Sequence, residues 1–217
     1  MGTITRSFAN NITTSGVLLP ASLTNNSIAN VTAYNAAIAT GNMVLISSQT
    51  ANNSASLSFT TGIDSTYKEY QFYFIDIHAR TDDTQFEFNM STDGGSNYNV
   101  TKTTTYIEAY HNEADSVTGL GYAASKDLAQ STSFQRLLHS LGSGADENGS
   151  GILQLFNPAS TTYVKHFIMN GIHNASFDYA LNDFIAGYGN TTSACNAVQF
   201  KMSSGNFDGT ILMYGIV

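Results

Sequence analysis

The sequence predicts an all-β fold: an antiparallel, jelly-roll-like β-sandwich over residues 43–217, behind an extended arm over residues 1–42. Three observations predict it. From Met43 onward, short apolar or alternating runs recur at a spacing of roughly 8–15 residues. Clusters of Gly, Asn and Ser separate them, with no helical spacer long enough for a βαβ unit. The stretch before them carries almost no charge. Between Met1 and Ile63 the only Asp, Glu, Lys or Arg is Arg6.

The arm is the least conventional part. Soluble domains average about 25% charged residues, whereas the whole chain has 11% and its first quarter almost none. Asn, Thr, Ser and Ala dominate, with too few apolar residues for a separate core. Such a segment is expected to rest against other protein. Fully extended, about 40 residues span ~130 Å, enough to cross a neighbouring subunit. A short helix over Ile28–Ala39 is the one regular element it could form, weakened by Val31, Thr32 and several Asn.

The strands follow in order. Met43–Thr50 is a short apolar run, and Ser54–Thr60 alternates through Ala55, Leu57 and Phe59. Tyr70–His78 has Tyr70, Phe72 and Phe74 on one face and Tyr73, Ile75 and Ile77 on the other, as a central strand requires. Thr84–Ser91 places Phe86, Phe88 and Met90 inward, leaving Gln85, Glu87 and Asn89 for water. Asp93-Gly94-Gly95-Ser96-Asn97 then predicts a turn, with Tyr98–Tyr106 returning as the second strand of a hairpin. Phe134, Leu137, Leu138 and Leu141 fit either a helix capped by Gly142 or a strand paired through the loop 142–151 to Gly151–Asn157. Thr161–Asn170, Asp183–Gly189, Ala197–Met202 and Thr210–Ile216 complete the set.

Composition narrows function. Sixteen acidic against eight basic residues give a net charge of −8, and the basic residues stand singly, so nucleic acid is not an expected partner. No apolar run approaches the ~20 residues of a membrane span. Met1–Pro20 lacks the pattern of a signal peptide, which predicts synthesis in a cytoplasm and departure only within a particle. Asn-x-Ser/Thr triplets such as those at Asn11, Asn89 and Asn190 follow from composition and are not read as glycan sites.

Chemistry-bearing patterns are sparse. Gly119-Leu120-Gly121-Tyr122-Ala123-Ala124 fits a dinucleotide-loop pattern but lacks the strand-to-helix turn that pattern needs, so it reads as a sandwich loop and no cofactor is expected. His78, His111, His139, His166 and His173 form no H-x-H or H-E-x-x-H pair, and Cys195 alone makes neither disulfide nor thiolate cage; no metal or catalytic residue is assigned. Acidic pairs at Asp82-Asp83, Glu113/Asp115 and Asp146-Glu147 read as solvated loops, with Ca²⁺ as the alternative. His111, beside Glu113 and Asp115, reads as a surface-cation or proton-sensitive loop at most. Tyr106, Tyr110, Tyr122 and Tyr188 are the candidate flat rings for glycan contact, among aromatics that mostly serve the core.

Two stretches carry a family resemblance. Ser91-Thr92-Asp93-Gly94-Gly95-Ser96-Asn97-Tyr98, preceded by Tyr67-Lys68-Glu69-Tyr70-Gln71-Phe72, is the first. Val198-Gln199-Phe200-Lys201-Met202-Ser203-Ser204-Gly205-Asn206, running on to Gly209-Thr210-Ile211 and Tyr214-Gly215, is the second. Together they resemble β-sandwich surface modules of bacteriophage virions, those of marine phages above all, of tail-fibre or capsid-decoration type. The resemblance covers roughly residues 43–217. It implies a non-enzymatic virion protein with the sandwich outward; the charge-poor arm, residues 1–42, is the expected anchor to capsid or tail proteins. By analogy with fibre and decoration proteins it implies a homotrimer. The alternative is a lectin-like module binding host surface glycan. A glycan hydrolase would need a concave site with two converging ionisable residues.

Overall fold

A computed structural model describes residues 42–217; the predicted arm and the Ile28–Ala39 helix lie outside the described residues. The described residues fold into twelve strands. They are β1 (Met43–Ser54), β2 (Ser56–Phe59), β3 (Glu69–Ala79), β4 (Thr84–Ser91), β5 (Lys102–Asn112), β6 (Thr118–Tyr122), β7 (Gln135–Leu141), β8 (Gly149–Phe156), β9 (Lys165–Ala175), β10 (Tyr179–Gly189), β11 (Ala197–Met202) and β12 (Phe207–Ile216). Every pairing is antiparallel, and among the described residues no helix is long and apolar enough to cross a membrane.

The pairings nest. β1 pairs with β12, β2 with β11, β3 with β8 and β4 with β7, so the chain is one long hairpin wound upon itself. Two further pairings, β12 with β3 and β11 with β4, close it into two four-stranded sheets, β1-β12-β3-β8 and β2-β11-β4-β7. That order is a jelly roll. Two insertions extend the first sheet: β9 pairs with β8, β10 with β9, β5 with β10 and β6 with β5. The result is an eight-stranded sheet over a four-stranded one.

The layers meet through aromatic rings. Phe72 and Phe74 of β3 alternate inward, as do Phe86 and Phe88 of β4, and all four are fully buried with Phe200 of β11. At Asp76 a bulge, with φ near 52°, breaks the alternation of β3 and turns Ile77 and Ala79 to the buried face. Gly209 lies opposite at φ 130°, where a Cβ would stand 2.7 Å from the Asp76 carbonyl oxygen.

Several expectations are corrected. Thr84–Tyr106 is not a hairpin: β4 pairs with β11 and β7, whereas the strand after the turn, starting at Lys102, pairs with β10 and β6. The turn glycines do take positive φ, but residues 97–101 carry the chain across to the other sheet. Asn89 is buried instead of facing water. Its Nδ2 donates to the Tyr98 and Thr132 carbonyls, because these crossing segments cover β4. Phe134–Leu141 contains a strand, but β7 lies beside β4 and not β8. The expected strand at 161–170 begins at Lys165 and runs on to Ala175. Gly119–Tyr122 is not a loop but part of the edge strand β6.

Two features, a surface turn and a buried lysine, generate predictions. Gly94 and Gly95 have φ of 72° and 90°; a Cβ on Gly94 meets nothing within 4 Å, whereas one on Gly95 would stand 2.6 Å from the Tyr98 hydroxyl. Backbone strain costs of order 1–3 kcal/mol at either position, so Gly94→Val lowers the melting temperature, Gly95→Val lowers it further, and Asn97→Ser is mild. Thermal melts of the three variants check this order; equal melting of all three contradicts it.

Lys102 is fully buried, its ammonium donating to Asn89 Oδ1 at 2.6 Å and the Val100 carbonyl at 2.8 Å. Burial pushes its pKa down to about 7, against 10.5 for a free lysine. The unfolded chain therefore holds more protons above pH 7, and stability rises with pH by up to ~1.4 kcal/mol per unit until the unfolded lysine titrates. Cys195, pushed up to about 11 from 9, acts in the opposite sense above pH 9. Between pH 7 and pH 9, wild type is expected to gain stability relative to Lys102→Met, measured by urea unfolding. Parallel pH profiles would refute it.

Candidate functional site: a buried polar cluster under the sheet extension

Where β9, β10 and β5 extend past the jelly roll, their inward positions stop being uniformly apolar. Alternation from Phe167 and Met169 brings Gly171 and His173 of β9 inward. Asp183 of β10 stands opposite Gly171 on one side and opposite Glu108 of β5 on the other. Gly171 leaves space here for its neighbours: a Cβ would stand 2.5 Å from Met169 Cε and 2.6 Å from Leu138 Cδ2, and those side-chain ends would have to move.

His139 arrives from the other layer. In β7 the register against β4 shifts between Arg136 and Leu138 and again between Leu138 and Leu141, and Ser140 takes φ 50°. These irregularities break the two-residue alternation and direct His139 toward the extension. They also bury Leu137 and Leu138 consecutively, which is why this stretch imitated a helical spacing.

The side chains form a chain of contacts. Lys126 bonds Glu108 and donates to His139 Nε2 at 2.7 Å. That nitrogen accepts, so His139 Nδ1 carries the proton and donates to Asp183 Oδ1 at 3.2 Å. The Tyr106 hydroxyl lies 3.3 Å from the same Nδ1. His173 Nε2 donates to the His139 backbone carbonyl at 2.5 Å, leaving its Nδ1 toward Asp183 Oδ2 at 3.5 Å. That last pair has no hydrogen bond: His173 Nδ1 and Asp183 Oδ2 are both buried without a partner. His173, Asp183 and Tyr106 have side chains almost sealed from solvent. Burial pushes the His173 imidazolium down to about 4, its largest cause, against the attraction of Asp183. Burial likewise raises the Tyr106 phenol far above its ordinary value, with the Asp183 charge adding to the effect.

An open pocket of about 360 Å³ adjoins the cluster, lined by Glu108, Lys126, His139, Tyr110, Tyr179 and neighbours. Glu108 and Lys126 are thus reached from outside, whereas Asp183 and His173 lie behind them.

The four candidate tyrosines are not brought together. Tyr106 is fully buried in the cluster and offers no ring to a glycan, correcting its candidacy. Tyr110 faces inward at the pocket, against the Tyr179 ring. Tyr122 and Tyr188 point outward on different strands: Tyr122 bonds Asp127, and Tyr188 lies beside the His166 ring. The acidic pairs are engaged by nearby protein groups: Asp82 accepts from the Ser143 amide of another loop, Glu147 from the Gly144 amide of its own, and Asp115 pairs with His111 on the exposed surface.

Among the described residues the one group of three ligand-type side chains is His139, His173 and Asp183, which sequence reasoning missed. The signal was parity. Had β9 been continued to Ala175, His173 would have fallen on the face of Phe167 and Met169, and Asp183 on that of Ile185.

The outer face of the extension carries no Asp, Glu, Lys or Arg. Across β8, β9, β10, β5 and β6 all four charged side chains, Lys102, Glu108, Lys165 and Asp183, stand at inward positions. The outward positions hold Ile172, Phe184, Ile107, Leu120 and Tyr122, all exposed, among Asn, Thr, Ser and Ala. Comparison with protein-family models, curated proteins and solved structures gave no match for this chain.

Proposed function

We propose that this chain is a non-enzymatic structural subunit of a bacteriophage particle, a surface fibre or decoration protein. Residues 1–42 anchor it to a capsid or tail protein, and its sandwich assembles with further copies, as a homotrimer. The charge-free outer face of β8-β9-β10-β5-β6 carries this reading. Antiparallel sheets with one face in water alternate apolar inward and polar outward; here the Asp, Glu and Lys side chains are inside, and large apolar groups stand outside as well as in the core. Five strands ~4.8 Å apart and five to eleven residues long present roughly 750 Å², close to the area one partner contributes to a standard stable interface. The occupant proposed is a second copy of this chain. The phage assignment rests on the resemblance of the two sequence stretches, with the jelly roll, an architecture that viral capsid domains share, in its support. Threefold symmetry rests on analogy.

One observation favours a second reading, a host-glycan-binding module. On the same outer face a groove of about 460 Å³ is lined by Tyr188, His166, Phe156 and the hydroxyl-bearing Thr103 and Thr105. A half-exposed ring beside hydroxyls, without charge, suits a neutral sugar.

Phe184 and Ile107 lie directly opposite each other on this face. Light scattering of the full chain at micromolar concentration is expected to give the mass of three copies. Phe184→Lys combined with Ile107→Lys is expected to give a monomer with unchanged circular dichroism. A monodisperse wild-type monomer would defeat the assembly reading and leave the groove as the better guide.

A further inference from the structure

We propose that His139, His173 and Asp183 form a structural site for a divalent transition-metal ion of the zinc class, held by the Nδ1 atoms of both histidines and the Asp183 carboxylate. The three residues come from β7, β9 and β10, are all buried, and bring their ligand atoms within 4.8 Å of one another. Two ligands on a tetrahedral ion with bonds of ~2.0–2.1 Å stand ~3.4 Å apart. Each Nδ1 stands near that distance from one carboxylate oxygen, His139 at 3.2 Å from Oδ1 and His173 at 3.5 Å from Oδ2, with one ligand atom from each residue within 4.8 Å of the others.

The second pair supplies the independent observation. His173 Nε2 donates to the His139 carbonyl, so a neutral imidazole turns the lone pair of Nδ1 toward Asp183 Oδ2, itself a lone-pair acceptor. Two buried acceptors facing each other are unfavourable unless something positive lies between them. A metal-binding histidine characteristically gives its other N–H to a backbone carbonyl or carboxylate, and His173 already does so.

His139 can follow the same rule. Binding at its Nδ1 displaces the proton now given to Asp183; Nε2 takes up a proton and directs it to Glu108 Oε2, 3.5 Å away, and Lys126 gives up its hydrogen bond to Nε2 and keeps its contact with Glu108. The Tyr106 hydroxyl, 3.3 Å from His139 Nδ1, borders the fourth position. The ion would act where the fold is thinnest, because β7 and β9 share a single bridge, Leu141 with Ala175. Two imidazoles and a carboxylate suit zinc and its neighbours better than calcium or magnesium, which favour all-oxygen sites. The pocket beside Lys126 and His139 gives a path of entry.

The test uses the full chain, stripped with a chelator and titrated with Co²⁺ and Zn²⁺. One equivalent of Co²⁺ is expected to give the visible absorption of a four-coordinate site, and Zn²⁺ to abolish it by displacement. Zn²⁺ at about 100-fold above its Kd is expected to raise the melting temperature by roughly 5–10 °C. His173→Gln, with wild-type circular dichroism, is expected to lose both effects, while His166→Gln on the outer face keeps them. Should His173→Gln not fold, Asp183→Asn and the wild-type titration decide. A wild-type chain without the Co²⁺ absorption, and with melting indifferent to Zn²⁺ and chelator, overturns the proposal. So does a folded His173→Gln that binds Co²⁺ as wild type does.

Discussion

Phe200 of β11 touches the rings of Phe59, Phe72, Phe74, Phe86 and Phe88, with centroids 5.2–6.3 Å apart. Those partners come from β2, β3 and β4, so one side chain joins three strands of the small sheet to the centre of the large one. Edge-to-face and offset contacts of this kind add about 0.5–1.5 kcal/mol per pair beyond the burial of the rings themselves. The seam continues through Phe88 to Phe167 of β9, the first strand of the extension. Beyond Phe167 the rings give way, and Lys126, Glu108, His139, Asp183 and His173 take over between the layers.

This division assigns the rest of the molecule its tasks. The inner faces near Phe200 are filled with fully buried aromatic rings in mutual contact. Farther out, the bulges of β7 bring a histidine across to a sheet whose inward positions hold charge. A polar cluster in such a place is costly unless each member has a partner, and here all but one contact is made. The outer face of the extension, stripped of charge, is what remains for recognition. The two proposals therefore concern opposite faces of the same four inserted strands: an ion beneath them and a neighbouring subunit above.

Sequence reasoning recovered the all-β class, the jelly-roll character and most strands, because period-two alternation in Tyr70–Phe74, Phe86–Phe88 and Thr210–Ile216 is a local property. It misplaced the partners. Asp93–Asn97 has the chemistry of a hairpin turn, yet the chain leaves it for the opposite sheet, and nothing in five residues encodes that crossing. Asn89 alternates like a solvent-facing residue and is buried because distant segments at Tyr98 and Thr132 accept its hydrogen bonds. The polar cluster was hidden twice: its side chains come from several strands, and His173 fell outside the strand drawn to Asn170. Tyr106 was selected as an exposed ring, although its position between Thr104 and Glu108 on the inward side of β5 buries it.

If the aromatic seam holds the fold together, stability is unevenly distributed. The strands around Phe200 open only with the whole molecule, while β6, an edge strand paired with β5 alone, opens separately. Native-state hydrogen exchange on the full chain tests this most directly. The account predicts that the amides of Phe72, Phe74, Phe86, Phe88 and Phe200 share the slowest exchange, governed by global unfolding, and that those of Leu120 and Tyr122 exchange through local opening at a much lower free energy. Protection of β6 equal to that of β3, or early exchange at Phe200 and its neighbours, would contradict it.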